Sequence, residues 1–269
     1  MKMLRSHLLA ARAICHRDLL MYISYRARLF SHLITVFVSL ASFYYISRLV
    51  KVHEFQTSQK YFSYVVVGIV ITAILQAALS VASTLRAELL MGTFERFVCS
   101  PFGAVNGIAS MVIFPILLEL VFAVLTLAIG GIVFSMPIKW STAPLAIPVA
   151  LGGAALFGAL GLLFSAAVLV AKQTTAAATY ATTALGLLGG VYFPIQLLPD
   201  WGRFIANIQP LTYAVSLMRH FLIGYPLQGS IVGDILRILG FLLVTFPLAF
   251  FALSRGVRFS RRRATVLEY

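Results

Sequence analysis

The chain has 269 residues, of which 61% are hydrophobic and 11% are charged, whereas soluble domains average about 45–50% apolar and about 25% charged residues. Lys and Arg number 21 against 8 Asp and Glu, a net charge of +13, and these cations cluster outside long apolar runs. This composition excludes a soluble enzyme domain and a disordered chain, it argues against a nucleic-acid partner, and it predicts a protein whose main solvent is lipid.

The first 28 residues predict a cytoplasmic helix that lies at the membrane surface. Apolar residues recur there at the three- or four-residue steps of one helical face, and basic residues fall on another face. The apolar positions are Leu4, Leu8, Ala11, Cys15, Leu19 and Tyr22. This helix is expected either to anchor the topology or to act as a moving part that also touches a cytoplasmic partner.

Residues 29–253 predict a transmembrane domain of six helices. Each of six segments supplies the roughly 20 mostly apolar residues that cross a bilayer. The segments are 29–46, 61–84, 108–134, 143–170, 174–197 and 231–253. The predicted fold class is therefore an all-α integral membrane protein.

The distribution of Lys and Arg predicts the orientation of these spans. With the N-terminus in the cytoplasm, 14 of the cations lie on the cytoplasmic side and 7 on the other. Cytoplasmic loops carry the excess of positive charge. We expect both termini in the cytoplasm, a basic cytoplasmic tail over residues 254–269, and a place in the cell membrane.

The loop between the second and third segments differs from an ordinary polar connection. It reads RAELLMGTFERFVCSPFGAVNG from residue 86 to residue 107, with large apolar residues that a free loop has no reason to carry. The pattern predicts one amphipathic helix over residues 86–100 that places Leu90, Phe94 and Phe97 on one face, with Pro101 ending it. Such a face is suited to a groove in a partner protein or to lipid headgroups, and the partner is favoured.

The segment after the fifth predicted span is broken by three prolines. Pro194, Pro199 and Pro210 leave two short amphipathic stretches, about 201–208 and 211–223, and neither can span a bilayer. Aromatic residues that prefer the interface accompany them, namely Trp201, Tyr213 and Tyr225. Residues 194–224 therefore predict short helices that dip into the outer leaflet and form the mouth of a pathway.

A few polar residues fall within the apolar segments. Glu119 is the acidic residue deep inside a predicted span, where it is expected to face protein or water. Gln76, Thr179 and Thr183 are further candidates, and each of the four either lines a pathway or helps helices to pack. Arg219 is expected to anchor at outer headgroups, to pair with an acidic group, or to contact an anionic cargo.

Two stretches carry a family resemblance. The first, residues 182–219, has a small-residue run ALGLLGG, then Leu198-Pro199, Pro210-Leu211-x-Tyr213 and Arg219; the second is GTFERFVCSP over residues 92–101. In this order and spacing the chain resembles the membrane subunits of ATP-binding-cassette exporters of the type-2 permease family.

The resemblance implies six spans, an interfacial N-terminal helix, and a homodimer or pseudo-dimer. It implies that residues 86–100 form a coupling helix seated in a separate ATPase, present in two copies, and that residues 194–224 lie near the exit. The implied coupling residues are Glu88, Met91, Gly92, Thr93, Phe94, Glu95, Arg96 and Phe97. The implied exit residues are Pro194, Leu198, Pro199, Trp201, Pro210, Tyr213 and Arg219.

The family moves amphipathic or lipid-linked cargo outward, including glycolipids, polysaccharides and hydrophobic drugs. This chain contains no GxxxxGK[ST] motif, so ATP and magnesium are expected on the partner ATPase, and no cofactor is expected here. No GxSxG, CxxC or HExxH motif occurs either, so we expect no catalytic or metal-ligating residue. The alternative function is an ATP-independent channel or secondary carrier.

Overall fold

A computed structural model describes residues 2–49, 55, 57–94, 97, 99, 102–171 and 175–262. This part of the chain is helical and contains no strand, which confirms the predicted all-α class. In chain order the helices are α1 (Lys2–Ser24), α2 (Arg26–Leu49), α3 (Ser58–Leu79), α4 (Val81–Leu90), α5 (Ala104–Met111), α6 (Ile113–Val133), α7 (Ala146–Ala171), α8 (Thr175–Leu188), α9 (Asp200–Ile208), α10 (Pro210–Ile223) and α11 (Ile231–Arg262). Single 3-10 turns, Ala143–Leu145 and Ile195–Leu197, precede α7 and α9.

Five helical stretches of the described residues are long and apolar enough to cross a membrane. Two of them join consecutive helices, since α3 continues into α4 and α5 into α6. The stretches are Arg26–Leu49, Ser58–Leu90, Ala104–Val133, Ala143–Ala171 and Ile231–Ser260. They contain the first, second, third, fourth and sixth predicted segments, apart from Phe134, the last residue of the third.

The fifth predicted segment has a different structure in its second half. Helix α8 has 14 residues, which corresponds to about 21 Å, against about 30 Å of hydrocarbon. The chain leaves the helix at Gly189 and Gly190, and Gly190 takes a left-handed φ of 72°. Glycine adopts this conformation without the steric cost of a Cβ atom, and it often ends helices. The predicted span of 24 residues is thus a short helix followed by a return segment.

Helix α3 forms the centre of the bundle. It packs against α2, α6, α7, α8 and α10, and its residues from Phe62 to Leu75 include several of the deepest side chains of the core. Helix α11 lies along α7. At Gly161 of α7 an added Cβ would lie 2.2 Å from the carbonyl oxygen of Ala78, so this glycine allows the backbones of α7 and α3 to approach closely.

Helix α1 packs against α2, α5 and α6. Tyr22 is buried there, while its neighbours Leu19, Leu20 and Met21 remain exposed. Of the predicted apolar stripe, Tyr22 therefore packs against the bundle, whereas Leu19 lies on an exposed surface. The side chains of Leu4 and Leu8 lie outside the described part of the structure. Helix α1 and the end of α4 lie at the same end of the bundle, because Arg17 approaches Glu88.

Candidate coupling tip, arginine lock and membrane groove

Helix α4 ends in a tight turn. After Leu90 the chain reverses at Gly92, whose φ is 68°, and the backbone N–H groups of Thr93 and Phe94 both donate to the carbonyl oxygen of Glu88, at 3.1 and 3.3 Å. The predicted single helix over residues 86–100 is therefore interrupted at Leu90. Its members Glu95 and Arg96 lie outside the described residues.

The turn divides the apolar side chains of this segment into two groups. Leu89 and Phe94 are buried in the bundle, and Phe94 is only 2% exposed, whereas Leu90 and Met91 are 56% and 69% exposed. The prediction that Leu90 and Phe94 share one outward face is wrong, because the left-handed Gly92 redirects the chain between them. We call the exposed residues Leu90, Met91 and Gly92 the coupling tip.

Glu88 and Thr93 stabilise the tip from within. The Thr93 hydroxyl donates to the Glu88 carboxylate, and the other carboxylate oxygen lies 3.7 Å from Nη1 of Arg17 on α1. Phe97 lies against Gly107 of α5, where an added Cβ would come within 2.6 Å of its ring. The predicted coupling residues thus include a rigid support as well as an exposed apolar end.

A second cluster surrounds Arg219 of α10, a residue only 4% exposed. Its guanidinium donates to three backbone carbonyls, those of Tyr64 at 3.0 Å, Gly190 at 2.9 Å and Val191 at 2.7 Å. It also lies 3.3 Å from the centre of the Tyr64 ring, a cation–π contact. We call this cluster the arginine lock, because it joins α10 to α3 and to the turn after α8.

The arginine lock corrects the sequence-based expectations for Arg219. This side chain is buried inside the bundle, so it does not reach outer headgroups, and its hydrogen bonds go to backbone carbonyls rather than to an acidic side chain. The lock holds the left-handed turn at Gly190, which connects α8 to the return segment. The role of Arg219 seen here is to position that segment.

The other predicted exit residues lie around α9 and α10. Pro194 and Leu198 are buried, Pro199 precedes the first residue of α9, and Pro210 is the first residue of α10, where its missing N–H is not needed. Trp201 lies on an exposed apolar face of α9 with Phe204, Ile205 and Ile208. The Tyr213 hydroxyl donates to the carbonyl oxygen of Asn207 at 2.5 Å and so ties α10 to α9.

A groove of about 450 Å³ lies between α2, α3 and α6. It brings together two of the predicted pathway residues, Gln76 and Glu119, which lie 43 positions apart in the sequence. The Glu119 carboxylate is 3.8 Å from Nε2 of His32, and the His32 ring stacks on Phe122 at 3.8 Å between ring centres. We call this site the membrane groove.

Thr179 and Thr183 lie on α8, outside the lining of the membrane groove. The Thr183 hydroxyl donates to the carbonyl oxygen of Thr179 at 3.0 Å. Threonine side chains in helices commonly make this hydrogen bond to the backbone four residues earlier. The sequence analysis missed His32 as a groove residue. Its spacing from Thr35 and Ser39, which also line the groove, is that of one helical face and was a usable signal.

The described residues are helical and include five apolar stretches of membrane-spanning length, with a carboxylate held between helices at mid-span. These features are those of a multi-pass membrane protein. Residues 10–223 match the ABC-2 type transporter family, and the chain belongs to this family of membrane transporter subunits. The family resemblance seen in the sequence is thereby confirmed, and the matched region includes the coupling tip, the membrane groove and the arginine lock. A comparison with curated proteins finds no match.

Proposed function

We propose that this chain is the permease subunit of an ATP-driven exporter, which moves an amphipathic or lipid-linked substrate out of the cytoplasm or the inner leaflet. A separate ATPase subunit, which binds ATP and magnesium, supplies the energy. Membership of the ABC-2 type transporter family over residues 10–223 is the observation that carries this proposal. The coupling tip adds a structural reason for the partner.

The coupling tip has the properties of a small docking surface. Leu90 and Met91 project two large apolar side chains from a turn whose geometry is held by Glu88 and Thr93. A rigid apolar projection loses little conformational entropy when it enters a groove. Because the tip continues directly from α3 and α4, a force on it would pass to the central helix of the bundle.

The rest of the proposed assembly follows from the same family. Two copies of the chain and two ATPases make up the transporter, and in each copy the short helix α8 takes the place of the fifth span. Both termini and the coupling tip face the cytoplasm, in agreement with the charge distribution, and α9 and α10 lie near the extracytoplasmic exit. The coupling role extends to residues 86–100 and the exit role to residues 194–224.

The decisive test is whether an ATPase depends on the tip. We expect a stoichiometric ATPase subunit to co-purify with the tagged full-length chain from its native host in mild detergent, and to be lost in Leu90→Asp. The matched control is Leu145→Asp, which changes a leucine of similar exposure, 52% against 56%, before α7. Mass spectrometry of the eluate and the ATPase rate are the measurements.

Phe94→Asp is a poor test of coupling, because it places a carboxylate in the core and is expected to unfold the segment. Retention of the ATPase by Leu90→Asp would contradict the coupling tip. A monodisperse protein that purifies without any ATPase and still transports in vesicles would instead support the ATP-independent channel or carrier.

A further inference from the structure

The membrane groove holds a carboxylate at mid-membrane depth. Glu119 lies near the middle of the Ala104–Val133 stretch, and Gln76 lies past the middle of Ser58–Leu90. The Glu119 side chain is 14% exposed, so it is largely withdrawn from solvent yet reaches the groove. A carboxylate in this position is costly unless a partner or a ligand compensates its charge.

Among the described residues, no Lys or Arg lies within ion-pair distance of Glu119, and the groove lining contains neither residue type. The nearest candidate for a counter-charge is His32, at 3.8 Å. Unlike Lys and Arg, histidine does not carry a permanent positive charge. The groove therefore lacks a permanent positive charge, whereas Asp234 of α11 is paired with Arg237 at 2.9 Å.

The other polar groups of the groove are mostly occupied by their own helices. The hydroxyls of Thr35, Ser80 and Thr126 donate to the backbone carbonyls of Ser31, Ala77 and Phe122. The remaining lining is chiefly Val, Leu, Ile and Ala. Such walls suit an apolar body, and they offer few groups that could satisfy the many hydroxyls of a glycan.

We propose that the membrane groove binds an amphipathic cation, whose positive group pairs with the Glu119 carboxylate and whose apolar body lies along α2, α3 and α6. The cation supplies the counter-charge that the protein does not provide, and the apolar walls supply the remaining contact area. This inference rests on the proposed function in one respect, because it names the class of substrate. Binding itself can be measured without transport or ATP.

The test uses two ions that are matched in size and shape but opposite in charge. Radiolabelled tetraphenylphosphonium and tetraphenylborate are titrated against the full-length protein, with any subunits that co-purify, in neutral-lipid nanodiscs. We expect saturable binding of the phosphonium and only partition-like binding of the borate. Equal binding of both ions would show a merely apolar groove and overturn the proposal.

Substitutions separate the contribution of the Glu119 charge to binding from that of the shape of the groove. Glu119→Gln keeps the side-chain volume and is expected to weaken phosphonium binding by about tenfold or more, since close charge pairs in apolar sites contribute at least this much. Ala73→Phe adds a ring to the groove wall and is expected to abolish the saturable binding. Asp234→Asn removes a different buried carboxylate, in the first turn of α11, and serves as the control, with unchanged affinity.

Monodispersity and thermal melting of each variant establish that it is folded. Unchanged phosphonium affinity in folded Glu119→Gln would contradict the assignment of the cation to this carboxylate. Absence of saturable binding by the wild-type protein would do the same. Neither result would bear on the ATPase co-purification, so failure of this inference and failure of the proposed function are distinguishable.

Discussion

The arginine lock and the membrane groove each hold an ionisable side chain inside the bundle, but the two side chains differ in how many compensating contacts surround them. Arg219 is surrounded by three backbone carbonyls and an aromatic face. Among the residues that the structure describes, Glu119 has one basic side chain within ion-pair distance, His32 at 3.8 Å. The first charged group thus has several compensating contacts within the protein, whereas the second has a single basic neighbour and faces a groove.

This difference separates a structural charge from one available to a ligand. The Arg219 guanidinium is buried, directs three of its N–H groups to backbone carbonyls and thereby fixes the relative position of α3, α10 and the turn after α8. A carboxylate that lacks a full counter-ion adds little to the free energy of unfolding, because the cost of its desolvation opposes what it gains from its neighbour. The two sites should therefore respond differently to substitution.

The largest effect is expected for Arg219→Gln. The shorter amide cannot reach all three carbonyls, and the cation–π contact with Tyr64 is lost. The Gly190 carbonyl keeps the Tyr64 hydroxyl as a donor, at 3.1 Å, but a buried acceptor that is left without any donor costs about 1–3 kcal/mol. The melting temperature of the purified protein should fall sharply, and the yield with it. Arg203→Gln is the control, because Arg203 also donates to two backbone carbonyls, those of Leu198 and Gln196. Arg203 is exposed, so water can replace its lost hydrogen bonds. Equal melting temperatures for the two variants would show that the lock is not structural.

A smaller effect is expected for Gly68→Ala, which perturbs the lock without removing its charge. An added Cβ would lie 2.7 Å from Nη2 of Arg219 and 2.7 Å from the Val191 carbonyl oxygen, so the backbone must shift at a cost of about 1–3 kcal/mol. Gly152→Ala meets no atom within 4 Å and should be neutral or stabilising, since alanine favours helices. Thermal melting of both variants checks the contrast, and a stable Gly68→Ala would refute the tight packing.

The smallest effect on stability is expected for Glu119→Gln. Removing a charge that lacks a full counter-ion should change the free energy of unfolding by no more than about 1 kcal/mol and can raise it. Denaturation of the purified protein in detergent gives the measurement. A loss of stability as large as that of Arg219→Gln would mean that Glu119 belongs to a structural network. The proposed difference between the two sites would then be wrong.

Several features of the candidate sites were predictable from local pattern. The apolar stretches, the proline-broken segment and the isolation of Glu119 depend on neighbouring residues or on composition. The outward face of residues 86–100 was not predictable in this way. Helical periodicity placed Leu90 and Phe94 together, but the left-handed conformation of Gly92 reverses the chain between them. The sequence alone does not show whether a glycine has a positive or a negative φ angle.

The partners of Arg219 had no signature either. Backbone carbonyls are present at every residue, so nothing in the sequence distinguishes those of Gly190 and Val191 until the chain is folded. Similarly, His32 and Glu119 lie 87 positions apart, and only the packing of α2 against α6 brings them together. Long-range pairs of this kind are decided by which helix faces meet.

The sequence by itself determined that this protein is embedded in a membrane, that it is helical, and that it shares the motifs of its family. These properties depend on hydrophobicity and residue spacing, which are local along the chain. The tertiary structure alone decided which apolar side chains of the coupling segment are exposed, which charged group is enclosed by backbone carbonyls and which faces a groove. Those properties depend on the atoms that surround a side chain in space, and distant segments supply most of them.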